Sequence, residues 1–243
     1  MYTIIKYILK SIFPARTIFR YEEKIRWFYA VFYSGKKHKC TVCSKQLSRF
    51  VLLKNGDGLC PFCGSLPRHR KLWTYINTTI QPGNVVLHFS PARCLQRRLR
   101  KNKNITYLST DFEGEFPTDH HFDITNIALK DNSSDVIICY HVLEHIENDL
   151  QAMHELHRVL KQNGIAIIQT PFKSGETYEN PSITDPEERE QHFGQKDHVR
   201  IYSLNGLQQR LEAVHFKVQS KHYKEDHYHG LSEEIIVTAI KKT

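Results

Sequence analysis

Residues 135–170 read DVIICYHVLEHIENDLQAMHELHRVLKQNGIAIIQT, and this stretch decides the fold. Asp135-Val136-Ile137-Ile138-Cys139 is a short apolar run of the kind that forms a strand covered on both faces. Leu143, Ile146, Leu150, Met153, His157 and Leu160 follow at steps of three and four, which predicts one buried helical face. Lys161 and Asn163-Gly164 then stop the helix, with Gly164 in the left-handed cap. Ile165-Ala166-Ile167-Ile168 is a second buried strand. Two parallel strands joined by a covering helix make a right-handed βαβ unit, so the expected class is α/β. Such a unit by itself carries no chemistry.

Upstream, Asn84 to Phe89 reads as another strand. It runs into His88-Phe89-Ser90-Pro91-Ala92-Arg93, a corner without glycine. Ser90 suits an N-cap and Pro91 the first helical position, so a sharp strand-to-helix turn is expected there. The helix 92–101 is strongly basic. Ile105 to Asp111 is a second strand, ending in an acid. Downstream, residues 171–190 are polar and too long for a plain connector, which predicts a lid or substrate loop. Ser203 is placed to cap a helix through Leu204, Leu207 and Leu211. Val214–Val218 and Ile235–Ile240 read as a closing antiparallel pair.

Four of the six cysteines form two CxxC pairs, Cys40/Cys43 and Cys60/Cys63, with sixteen residues between them. Each pair turns two thiolates toward one centre, and four soft ligands suit a closed tetrahedral Zn²⁺ site. Rubredoxin-like iron is the other option. A segment of roughly 25 residues has too little core to fold without such a staple. His38 and His69 are expected at the surface. The chain has 243 residues and 40% apolar side chains, enough for one medium domain with a small appendage. It divides into 1–36, a basic amphipathic helical segment broken at Pro14; 37–66, a zinc ribbon; and 67–243, the main domain.

No apolar run approaches the length of a membrane span, and the start lacks a cleavage site, so it is expected to be retained. Charge is uneven. Residues 1–110 carry 21 Lys and Arg against 3 acids, and the remainder carries 13 against 23. A basic front half implies an anionic partner, either membrane surface, nucleic acid or a phosphorylated substrate, or else a merely solvated face. Residues 1–20 either lie in a bilayer interface or pack on protein.

Val142-Leu143-Glu144-His145-Ile146, followed by Leu160-Lys161-Gln162-Asn163-Gly164, resembles the fourth-to-fifth strand region of class I S-adenosylmethionine (SAM) dependent methyltransferases. The zinc-bearing bacterial subset with an LHFAP-like turn is similar at Leu87 to Pro91. The resemblance implies a Rossmann-like sheet, mostly parallel with the last strand antiparallel. It implies SAM at His88, Phe89, Ser90, Pro91, Asp111, Phe112, Asp123, Ile124, Tyr140 and His141. Asp111 would accept from the ribose hydroxyls, and Asp123-Ile124 would meet the adenine. His141, His198 and His192 are candidate general bases. Arg200, with Arg93 or Arg97, could clamp an anionic substrate, and Tyr202 could join it. The implied function is methyl transfer to a small molecule or glycan precursor in the cytoplasm, with peripheral contact at the inner membrane face as an option. The alternatives are an rRNA or tRNA methyltransferase gripping RNA through the ribbon, and a non-catalytic binding module.

Overall fold

The computed structural model describes residues 15–114 and 117–242. The expected helix over residues 4–13 lies outside the described residues. Helix α1, Ala15–Ala30, is continuous and ends in a single 3₁₀ turn. Four short strands follow: β1 (Ser34–Lys39), β2 (Gln46–Leu47), β3 (Val51–Leu52) and β4 (Gly58–Leu59). They pair as two antiparallel hairpins, β1 with β2 and β3 with β4. Helix α2, Pro67–Thr79, leads into the main sheet.

That sheet has six strands in the order β6-β5-β7-β8-β13-β12. They are β5 (Val85–Phe89), β6 (Thr106–Thr110), β7 (Ser134–Tyr140), β8 (Leu160–Gln169), β12 (Phe216–Tyr223) and β13 (Glu234–Lys241). The first four are parallel, and β13 runs antiparallel to both of its neighbours. Successive side chains on a strand point to opposite faces, and the cores follow that rule. Leu87, Ile137, Ala166 and Val237 pack with α4 (Asp149–Val159) and α6 (Leu204–Ala213). Val86, Ile138, Ile167 and Ile236 pack with α2 and α3 (Arg93–Lys101). Cys40, Leu47, Cys60 and Cys63 belong to this second core, so the cysteine hairpins and one face of the sheet are a single apolar body.

The βαβ unit is present, with corrected boundaries. Residues 143–145 form a lone 3₁₀ turn, and α4 starts at Asp149 because the Asn148 side chain accepts the Gln151 N–H. Its buried face is therefore Ala152, Met153, Leu156 and Val159, while Leu150 is exposed. The left-handed residue after the helix is Asn163 (φ 61°), not Gly164. Gly164 serves close approach instead, since a Cβ there would lie 2.8 Å from the Lys161 carbonyl.

The polar stretch after residue 170 is no open loop. β9 (Phe172–Lys173), β10 (Tyr178–Glu179) and β11 (Arg200–Ser203) form a small sheet in the order β10-β11-β9, with α5 (Pro186–Phe193) between β10 and β11 in the chain. Ser203 caps α6 as expected, accepting the Gly206 N–H at 3.0 Å.

Candidate functional site

From β5 the chain goes to β6 on one side, and it returns to β7 on the other. The gap between the carboxyl ends of β5 and β7 is thus the switch point of the sheet, where open α/β folds bind ligands. Both strands leave it through a left-handed non-glycine residue, Ser90 (φ 42°) after β5 and His141 (φ 55°) after β7. Such backbone costs on the order of 1 kcal/mol or more and persists only when its surroundings fix it.

At Ser90 the fixing contact is visible. Its hydroxyl donates to Asp111 Oδ1 at 2.9 Å, and its N–H donates to the Thr110 carbonyl. The expected N-cap role of Ser90 is therefore replaced: the helix cap is Ala92, which makes no side-chain cap bond. Asp111 is 5% exposed at the end of β6. Beside it Phe112 is 66% exposed, a large ring with no core to enter. A third parallel strand is reduced to one bridge, Thr110 with His120. Next to it, Asp123 Oδ1 accepts the Thr125 N–H and hydroxyl, and Ile124 is buried in the core.

Several expected cofactor contacts face elsewhere. His88 points to the α2/α3 side, hydrogen-bonds the Tyr107 hydroxyl at 3.0 Å, and is pushed down to about 3 by burial. Phe89 lies in the α4/α6 core. Tyr140 packs in the cysteine-side core, where burial and nearby Glu234 raise its phenol. The pleat explains all three: neighbouring residues on a buried strand cannot all face its carboxyl end.

His141 fits better. Its backbone is held by the Gln169 carbonyl, and its Nδ1 lies 3.1 Å from Glu144 Oε1. Its Nε2 has no hydrogen-bond partner. Glu144 is 1% exposed, and no local sequence pattern marks it as part of the site. His198 is buried against the same turn, 4.7 Å from His145 between ring centres. Burial, then the proximity of His145, lowers its imidazole. His192 lies away on α5, exposed and bonded to the Tyr178 hydroxyl.

Arg200 and Tyr202 have no face left for a substrate. Arg200 is 5% exposed, and its guanidinium donates to the carbonyls of Leu143, Ile146 and Glu147 and to Glu179. Tyr202 is fully buried and donates to Asp149. Together they clamp the 143–149 corner onto β11. Arg93 and Arg97 are likewise engaged, both with Glu22 of α1. Burial would raise the Glu22 carboxyl, yet Arg26, Arg97 and Arg93 hold it below the usual range.

The cysteines form a second site. The four Sγ atoms lie within 4.8 Å of one another, and Cys40–Cys63 and Cys43–Cys60 are each 3.7 Å apart. That is far beyond a disulfide and matches the edge of a tetrahedron with metal–sulfur bonds of about 2.3 Å. The two knuckles are built alike. Ser44 N–H donates to Cys40 O and Gly64 N–H to Cys60 O, with left-handed residues at Ser44 and Gly64. Gly64 has φ 75°, and a Cβ there would meet the Arg26 guanidinium at 2.9 Å, so that side chain would have to move.

Arg70, fully buried, is the residue that sequence reading missed here. It donates to the carbonyls of Ser65, Gly58, His229 and Gly230 and stacks 4.1 Å over Phe50. Its partners lie up to 160 residues away, so no local pattern announces it. His69 is no surface residue either. It accepts the Leu66 N–H, and burial, helped by Arg68, pushes it down to about 3.

Sheet order, switch point and acid-ended second strand define a mixed α/β domain built on a mostly parallel central sheet. Residues 85–168 match the methyltransferase domain family. YcgJ from Bacillus subtilis superposes with a TM-score of 0.52 at 16% identity, over 72% of this chain and 99% of that one. A SAM-dependent methyltransferase from Mesorhizobium loti gives 0.50 at 11% identity, over 69% and 96%. At that identity the likeness is one of fold. An uncharacterised protein of Methanocaldococcus jannaschii is 41% identical over 46 residues, 19% of this chain. The chain spans only 20% of that relative's length.

Proposed function

We propose that the protein is a SAM-dependent methyltransferase acting on a small molecule or glycan precursor, with a structural Zn²⁺ in the four-cysteine site. The observation that carries the enzyme reading is the Ser90–Asp111 pair at the switch point, inside the matched methyltransferase region. The hydroxyl does what glycine does elsewhere: it holds a tight left-handed turn, and it ties that turn to the acid. The residues fit a nucleoside. Asp111 supplies acceptors for ribose hydroxyls, exposed Phe112 supplies a ring for adenine, and Asp123 supplies a carboxylate for the exocyclic amine.

SAM brings an already activated methyl group, so the protein's share is orientation and exclusion of water. Glu144 holds the Nδ1 of His141, and Nε2, which is buried and without a partner, is the atom that would take the acceptor's proton once the acceptor displaces what covers it. The acceptor class is supported by the engagement of the basic helix: Arg93, Arg97, Arg100 and Lys101 all pair with acids of this chain. That leaves less charge for an RNA backbone. Trp27, Phe28 and Phe32 are exposed on α1 and its turn, which favours a membrane-proximal acceptor. Among the described residues no helix is long and apolar enough to cross a membrane.

Calorimetry of the full chain with SAM and S-adenosylhomocysteine tests the enzyme reading. Binding of both is expected, and no heat up to millimolar ligand would reject it. Co-purifying RNA released steeply by salt would reject the small-molecule acceptor.

A further inference from the structure

We infer that the corner after β7 holds a divalent metal ion, on Glu144, His145 and His198, separate from the cysteine site. One ligand atom from each of the three lies within 4.8 Å of the others. Metal–ligand bonds of about 2.0–2.2 Å set ligand pairs roughly 3–4.4 Å apart, so shifts of a few tenths of an ångström close the set.

The atoms a metal needs are also the ones left over. Glu144 is 1% exposed, and its Oε2 has no hydrogen-bond partner; His198 is 4% exposed, and its Nε2 has none. A buried carboxylate oxygen without a partner is costly, and it calls for a counter-charge. The outer contacts suit ligation as well. His198 Nδ1 is 3.1 Å from the Phe193 carbonyl, which fixes its proton there and leaves the Nε2 lone pair for a metal. His145 Nδ1 is 3.1 Å from Asp197 Oδ2, a carboxylate–histidine pair of the same kind.

The scaffold is rigid. Val199 N–H donates to the Glu144 carbonyl at 2.9 Å, and the Arg200 fork grips the carbonyls on either side of the cluster. Arg200 thus positions the ligands, which accounts for a buried arginine that touches no substrate.

Two imidazoles and one carboxylate leave coordination positions open, and this donor set takes first-row divalent cations such as Mn²⁺, Fe²⁺ or Zn²⁺. The four thiolates favour zinc and reject Mn²⁺, so one chain sorts two metals. With His141 bonded to Glu144, an oxygen of the acceptor bound in an open position would sit beside the proposed base. The metal site itself stands whether or not methyl transfer is the reaction.

The test is Mn²⁺ titration, followed by electron paramagnetic resonance, of full-length protein holding one zinc per chain, which the four thiolates take first. One Mn²⁺ per chain is expected. Glu144→Gln and His198→Gln should each weaken it by at least roughly tenfold. His145→Gln, at a partly exposed side chain, should do the same without threatening the fold, and circular dichroism checks each variant. Exposed Glu190→Gln should change nothing. No Mn²⁺ or Co²⁺ bound beyond zinc at millimolar metal, or unchanged binding in folded His145→Gln, would overturn the site and leave a plain hydrogen-bond network.

Discussion

The cysteine knuckles and the strand-end crevice meet the same demand by opposite routes. Under the proposed function each holds a group that is not protein, and each is built on left-handed turns. In the knuckles the turn residues are Ser44 and Gly64, and the thiols sit three apart in sequence. In the crevice they are Ser90 and His141, and the groups come from the ends of different strands. A site written in local spacing is recognised from its own few residues, even where distant carbonyls brace it through Arg70. A site assembled from strand ends depends on the whole sheet. The contrast predicts how each fails.

The largest effect should come from the knuckles. Removing the proposed zinc with a chelator, or Cys60→Ser, should cost on the order of 5 kcal/mol or more, read as a fall in thermal midpoint. An unchanged midpoint would break the comparison at its root. Arg70→Met tests whether the knuckles are as self-contained as their spacing suggests. It strips donors from buried carbonyls of Gly58, Ser65 and Gly230, so a loss of about 3–5 kcal/mol in urea is expected. A loss below 1 kcal/mol would show the lobe standing alone.

Glu234 joins the two regions, facing Tyr140 and the α2 side chains Lys71 and Arg68. Burial raises it to about 7 against those partners. Its folded value is above its unfolded value near 4.5. Its contribution to stability is therefore present below pH 4.5 and lost as pH rises through 7. Glu234→Gln should flatten that slope and gain up to about 3 kcal/mol at pH 8 relative to the parent. Equal slopes in both proteins would mean that the carboxyl is solvated.

Asp111→Ala should weaken SAM binding by about 2 kcal/mol, roughly 30-fold, with little loss of fold. Unchanged affinity would move the cofactor away from β6. The smallest effect separates the two kinds of turn. Ser44→Gly and Ser90→Gly each relieve a left-handed serine and should stabilise by about 0.5–1 kcal/mol. Only Ser90→Gly should also weaken SAM, because it releases Asp111.

The same contrast explains what the sequence made legible. The strand–helix–strand unit, the parallel sheet and the gathering of four thiols follow from patterns within about 40 residues. Ser90 was expected to cap a helix because the cap is a local rule. Its bond to Asp111 crosses two strands, and no local rule contains it. Arg200 and Tyr202 look like substrate groups in one dimension because burial is a property of the assembled sheet. Glu144 is hidden for the mirror reason, since a carboxylate one turn past a strand reads as surface until the 193–200 segment covers it.

The reach of Arg70 has a consequence for the order of events at the ribosome. Its carbonyl partners at residues 229 and 230 emerge 160 positions after it. At translation speeds of roughly 5–20 residues per second, that delay is on the order of ten seconds or more. Until then the knuckle lobe has its thiols but lacks the hairpin loop that lies against it. A nascent chain with its four thiols gathered but its latch still unmade is the expected intermediate, and the β12–β13 hairpin is the one that shuts it.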